Sequence, residues 1–206
     1  MRKIIIVGAS GFGAEVLWVI NRINSVKPAF DVVGFCDDAS DKQAGEFAGI
    51  PLVGSVDQVC CNYSNLFFFC AIGDNRIRKK VFEKFLDAGN TPVSIIDPSA
   101  VISPDAVIGD GSYIGVGSVV SVGSFIGGGT IINHRVTVGH DVAMGDFTQL
   151  CPGVAVSGGV SLGEGVLFGS NACAIPCKSI GDWAIVGAGS VVISNMQDGE
   201  VRVRVK

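Results

Sequence analysis

Charge is scarce in this 206-residue chain: 17% of positions are Asp, Glu, Lys or Arg, and the formal net charge is -4. With 48% of positions hydrophobic, that scarcity excludes a disordered chain. No basic tract occurs, which argues against nucleic acid or an anionic membrane surface as a partner. The only apolar run near the start is Ile4 to Val7, too short for the core of a signal peptide, so a cytoplasmic protein is expected. Cysteine is present but unorganised. Cys60 and Cys61 adjoin, while Cys36, Cys70, Cys151, Cys173 and Cys177 are scattered among apolar residues. That spacing suits neither a disulfide framework nor a zinc site and predicts buried, reduced thiols. Residues 111–134 contain no Asp, Glu, Lys or Arg, yet seven Gly and four Ser interrupt them, so they do not form a membrane helix.

Glycine is what the chain has in excess. Nine of the 29 glycines lie in residues 1–96 and twenty in residues 97–206, so the two halves are built differently. Every sixth residue from Ile102 to Val192 is apolar, sixteen in succession without a slip of phase. The next position is mostly Gly, and the fourth after each apolar residue from Ile102 to Val186 is small or β-branched, Lys178 excepted. A period of six belongs to neither a helix nor an ordinary strand. It is the signature of a hexapeptide β-solenoid, in which each hexad supplies a short strand and a corner. Eighteen residues complete a triangular coil, and coils stack at roughly 4.8 Å. On this reading the large apolar residue points inward, the following Gly turns the corner and the small residue fills the remaining interior.

Residues 1–96 alternate strand and helix, which predicts a small, mostly parallel Rossmann-like sheet. Lys3–Val7 runs into Gly8-Ala9-Ser10-Gly11-Phe12-Gly13 and a helix. A second strand ends in Asp37-Asp38, and a third ends in Ile72-Gly73-Asp74-Asn75. A last helix has Ile77, Val81, Phe82 and Phe85 on its apolar face and Arg78, Lys79, Lys80 and Lys84 outside, and residues 92–98 read as a hinge. Glycines after a first strand let a phosphate approach a helix N-terminus, and an acid after the second can hold a ribose hydroxyl. The same glycines are also compatible with a plain tight turn. A dinucleotide cofactor is disfavoured, because ninety-six residues make only half of a two-lobed fold and no domain for hydride chemistry follows. The expected domains are 1–96, nucleotide-binding, and 97–206, solenoid.

The hexads resemble those of the left-handed β-helix acyltransferases. A small Rossmann-like domain ahead of them narrows the resemblance to the bacterial nucleotide-amino-sugar N-acetyltransferases and the sialic acid O-acetyltransferases. The motifs that carry it are Gly-Ala-Ser-Gly-x-Gly, Asp37-Asp38, Ala71-Ile72-Gly73-Asp74-Asn75-x-Ile77-Arg78-Lys79 and His140-Asp141-x-x-x-Gly145-Asp146-Phe147. The resemblance implies a homotrimer that binds acetyl-CoA in clefts between adjacent prisms and needs no metal. It implies a UDP-, dTDP- or GDP-linked amino sugar at Ser10, Gly11, Phe12, Asp37, Asp38 and Gly73. It also implies coenzyme contacts at Gln149, Gly158, Ser170 and Gly187. Relatives often carry His where Phe12 stands, some carry a second His where Gln149 stands, and their Gly-x-Pro-Ala near the C-terminus is absent.

Acyl transfer from a thioester needs a base for the acceptor's proton, and histidine is suited to that role near neutral pH. Only His134 and His140 are available. His140 is followed by Asp141, which can orient its ring. Gly158 lies eighteen residues on, one coil above His140, where its N–H can hold a thioester oxygen as charge develops. His134 falls one face away and is expected to make local hydrogen bonds. The basic residues of the tail, Arg202, Arg204 and Lys206, are read as solvated. N-acetylation of a nucleotide-linked amino sugar is the leading expectation and O-acetylation of a free sugar the rival. A γ-class carbonic anhydrase and a non-catalytic nucleotide sensor are further alternatives.

Overall fold

Ile4, Ile5, Ile6 and Val7 form the unbroken apolar run of a strand covered on both faces, and each is at most 1% exposed. In the computed structural model, which describes residues 1–39, 41 and 44–203, they belong to the first of two units, Met1–Pro98 and Ser99–Lys206. The first unit contains, in order, β1 (Arg2–Val7), α1 (Gly11–Val26), β2 (Phe30–Cys36), β3 (Glu46–Phe47), β4 (Ile50–Pro51), α2 (Val56–Asn62), β5 (Phe67–Cys70), α3 (Asn75–Asp87) and β6 (Thr91–Pro92). Its sheet has the order β2-β1-β5-β6, all parallel, and β3 and β4 form a separate antiparallel hairpin. The chain leaves β1 toward β2 and returns on its other side at β5. That reversal opens a crevice at the carboxyl ends of the strands, the usual place for a ligand in such a sheet.

Three features depart from the sequence reading. The stretch read as a hinge begins with β6 and includes a short strand at Ile95–Ile96. Thr91 and Val93 donate to the carbonyls of Leu66 and Phe68, and Pro92 is tolerated because β6 is the sheet's last strand. In α3 the buried residues are Asn75, Arg78, Phe82 and Phe85, while Ile77 is 53% exposed. Arg78 turns inward because its Nη1 can donate to the carbonyl of Ile72 (2.9 Å) at the end of the β5 turn. Burial pushes its guanidinium down to about 10, against the pull of Cys70 and Asp74. The cysteines are only partly interior: Cys36 and Cys70 are buried, but Cys61 and Cys177 are exposed. Burial is the main cause raising the thiols of Cys36 and Cys70 far above the ordinary cysteine range.

The second unit is a three-sided solenoid. Its first face carries strands at 101–102, 119–120, 137–138, 155–156, 173–174 and 191–192, and its second at 107–108, 125–126, 143–144, 161–162 and 179–180. Strands at 113–114, 131–132, 149–150, 167–168, 185–186 and 201–202 build the third. Partners stand eighteen residues apart in parallel register, as in Val120↔Val138 and Leu150↔Phe168. From Ile114 to Val192 every sixth residue is at most 4% exposed. Small polar residues fill much of the remaining interior: Ser112, Ser124 and Thr148 donate to the carbonyls of Gly127, Gly139 and Gly163 at 2.9–3.0 Å, whereas the buried Ser190 hydroxyl has no partner among the described residues.

The glycine after each large apolar residue does not turn the corner. Left-handed φ values fall two positions later, at Gly111, Gly117, Gly123 and their successors and also at Arg135, Asp141, Phe147, Asn171, Cys177 and Trp183. The repeated glycine is there for space. A Cβ on Gly145 would stand 2.6 Å from the Glu164 nitrogen, and one on Gly139 2.7 Å from the Gly158 nitrogen. Coils stacked at the strand spacing leave no room for a side chain where the chain starts to bend.

Candidate active site

In the first unit, the crevice at the strand ends is a cavity of about 270 Å³. Ser10, Asp37, Asp38 and Gly73 line it, with Gly8 at its floor. Gly8 has a φ of +108°, and a Cβ there would meet the Ala71 carbonyl at 2.7 Å, so this floor has to be bare backbone. α1 opens toward the cavity with no acid in its first turn and with Ser10 making no capping bond. Its first N–H groups and the positive end of its dipole are thereby left for an anion.

Asp37 is braced rather than loose: its two oxygens accept from Ala9 (2.8 Å) and Ala39 (2.9 Å). Asp38 accepts from Val56 at the start of α2 (2.9 Å). Gly11 and Phe12 are not among the lining residues. Phe12 instead meets Phe69 edge-on, with ring centroids 6.4 Å apart. The sequence reading misses the apolar wall made by Val56, Ile72, Ile77 and Val81. Ile77 in particular is placed inside by the helical pattern of α3, yet it faces the cavity because Arg78 occupies the inward position.

On the solenoid, the corner between the first and second faces carries His140 and, one coil above, Gly158. His140 Nδ1 lies 2.8 Å from Asp141 Oδ2, and the two side chains are 66% and 71% exposed. The imidazole lies so close to the Gly158 α-carbon that an added Cβ would overlap its Nε2. Backbone bonds fix this stacking, Gly159 donating to His140 (2.9 Å) and Cys177 to Gly158 (3.1 Å). At the corner between the second and third faces, the equivalent amides of Gly128, Glu164 and Asp182 donate to Asp146, Asp182 and Asp198 (2.7–2.9 Å). Above Gly158 stands Pro176, which offers no carboxylate, and the Gly158 N–H has no acceptor among the described residues. An imidazole and a bare amide donor thus share one corner.

The other expected contacts lie elsewhere. His134 and Ser170 line a depression at the corner between the third and first faces. Gln149 projects from the third face, with its Nε2 3.8 Å from Cys151 Sγ, and Gly187 ends the same face beneath Val203. A single chain therefore divides the set into two groups flanking the first face. Arg202 is not simply solvated: its guanidinium donates to Ser194, Asn195 and Glu200. Arg204 and Lys206 lie outside the described residues. Among those residues no group of three or more His, Cys, Asp or Glu side chains is placed to hold a metal ion, and no helix is long and apolar enough to cross a membrane.

A small Rossmann-like domain followed by hexad coils with an exposed His-Asp pair defines a class, the hexapeptide-repeat acetyltransferases. The model of the PglD N-terminal domain matches residues 3–85. The acetyltransferase domain of PglB from Neisseria gonorrhoeae, solved with acetyl coenzyme A, is 30% identical with a TM-score of 0.90, covering 98% of this chain and 96% of that one. PerB from Caulobacter crescentus, solved with CoA and GDP-perosamine, is 32% identical with a TM-score of 0.88, covering 99% and 95%. WeeI from Acinetobacter baumannii, 23% identical with a TM-score of 0.86 and coverage of 99% and 97%, shares the fold. No curated protein matches the chain. The chain belongs to the left-handed β-helix nucleotide-amino-sugar acetyltransferase family.

Proposed function

We propose that the protein is an acetyl-CoA-dependent N-acetyltransferase acting on the amino group of a nucleotide-linked 4-amino sugar. The observation that carries this is the imidazole of His140, braced by Asp141 and lying against the bare amide of Gly158. With Nδ1–H donating to Asp141, Nε2 carries the free lone pair and can take a proton. As the sugar nitrogen attacks the thioester carbon, Nε2 removes its proton and the Gly158 N–H bonds to the oxygen that gains charge. The new C–N bond forms, the C–S bond breaks, and His140 returns the proton to the departing thiolate. Gln149, Ser170 and Gly187 are assigned to the coenzyme.

The amino sugar's nucleotide is assigned to the cavity of the first unit, with the diphosphate at the start of α1 and the base against the apolar wall. Homology to PerB, solved with GDP-perosamine, supports that assignment. The active form is a homotrimer in the cytoplasm. Supporting a trimer, the outward residues of the first face, Val101, Val119, Thr137, Ala155, Cys173 and Val191, carry no charge. Packing that face between copies would bring the two separated residue groups together. The seven cysteines are free thiols, in keeping with a reducing compartment.

The test combines calorimetry against UDP, dTDP and GDP with release of CoA thiol on a panel of nucleotide-linked 4-amino sugars. Binding of one nucleotide and turnover of its amino sugar are expected. Turnover of a free sugar hydroxyl with no nucleotide binding would replace this reading by the O-acetyltransferase one. Ile77→Glu places a carboxylate in the apolar wall assigned to the base and weakens nucleotide affinity by about tenfold or more. Because Ile77 is half exposed, stability should stay within about 0.5 kcal/mol, checked by melting temperature alongside the titration.

A further inference from the structure

Arg135 holds a left-handed backbone, φ 55°, at a position where the coils directly below and above use Gly117 and Gly153. Side chains other than Gly, Asn and Asp rarely accept this conformation. Elsewhere on the solenoid the non-glycine residues in it have visible compensation. Phe147 and Trp183 cover Gly129 and Gly165 with their rings, and the Cys177 sulfur rests on Gly159. Asp141 bonds to His140, and Asn171 is of a type that tolerates the region. Arg135 is exposed, its stem makes ordinary contact with Gly117, and its guanidinium has no ion-pair partner among the described residues. An unfavourable conformation kept for an exposed side chain is a reason to look for a ligand.

The surroundings say what kind. Arg135 borders a depression of about 350 Å³ together with His134, Pro152, Gly153, Ser170 and Asn171. Between Ser99 and Val203 the other cations are Lys178, half-buried in the corner-filling position, and Arg202, which is occupied by Ser194, Asn195 and Glu200. Of the eight acids in that stretch, Asp110, Asp146, Glu164, Asp182 and Asp198 gather at the corner between the second and third faces, and Asp105 and Asp141 stand at the corner between the first and second. None of the residues lining the depression is acidic.

We infer that Arg135, with His134, Ser170 and Asn171, forms a phosphate-binding subsite on the corner between the third and first faces. A planar guanidinium can hold two phosphate oxygens at once, while the hydroxyl, amide and imidazole supply further donors. The identity of the phosphate rests on the proposed function: with the nucleotide sugar's diphosphate assigned to the start of α1, this one belongs to CoA.

Arg135→Gly suits the left-handed backbone and separates binding from folding. The full-length variant and wild type are titrated with CoA and, in parallel, with UDP, dTDP and GDP, and their melting temperatures are compared. A loss of at least about tenfold in affinity with no fall in melting temperature is expected. The loss is expected for CoA, with nucleotide affinity unchanged; a loss confined to the nucleotide would overturn the inference. Arg135→Lys should recover part of the loss, because it restores the charge without the fork. A smaller loss for CoA, a loss accompanied by a lowered melting temperature, or no binding of CoA to wild type would also overturn the inference. A wild type that acetylates no amino sugar would defeat the N-acetyltransferase reading, yet the CoA titration would still decide this one.

Discussion

His140→Asn will lower kcat for acetyl transfer by about 10²–10⁴-fold, the range that a positioned proton acceptor contributes, and leave acetyl-CoA affinity within about threefold of wild type. Asparagine is close in size and can still hydrogen-bond to Asp141, but it cannot accept a proton. Since His140 is 66% exposed, its replacement removes little packing and the melting temperature should hold. Steady-state release of CoA thiol, with calorimetry for acetyl-CoA, reads both quantities. A kcat within tenfold of wild type would mean that another group, or bulk water, takes the proton.

Gly158→Ala should cost about 10²–10³-fold in kcat, comparable to the loss of a donor aimed at the developing oxyanion. The added Cβ overlaps the imidazole at Nε2, so the ring must swing off Asp141 or the coils must part. Gly158 has no left-handed φ, and alanine restricts the unfolded chain, so the fold itself is not the expected casualty. The two substitutions act on one constellation and will not add: Gly158→Ala on top of His140→Asn should cost less than tenfold more, because the base is already gone. Full additivity, or an undisturbed kcat in Gly158→Ala alone, would separate glycine and histidine into independent functions.

The adjacency of His140 and Gly158 was legible before any coordinates, by counting eighteen residues. The stacking of like positions followed from the same arithmetic. The role of the repeated glycine did not, because the count gives a position's place in the coil but not the clearance of the next coil's backbone. Phe12 is in the glycine-rich turn, and its sequence neighbours line the cavity, but contact with Phe69 takes it elsewhere. Arg78 and Ile77 exchanged roles for a reason hydropathy cannot register. The inward site offers an unmet carbonyl at Ile72 that only a donor can satisfy.

The six-residue period dictated the solenoid and the alternation of strand and helix the first domain, because whether a side chain faces inward in a stacked coil depends only on its place in the repeat. The family's His-Asp motif and the eighteen-residue count together singled out His140. Tertiary packing decided the rest: the apolar wall of the nucleotide cavity, the burial of Arg78, the bare amide of Gly158 beneath Pro176 and the separation of the coenzyme residues from the base. Those depend on which atoms from distant segments compete for one space or one hydrogen bond, and that competition is settled only when the segments meet.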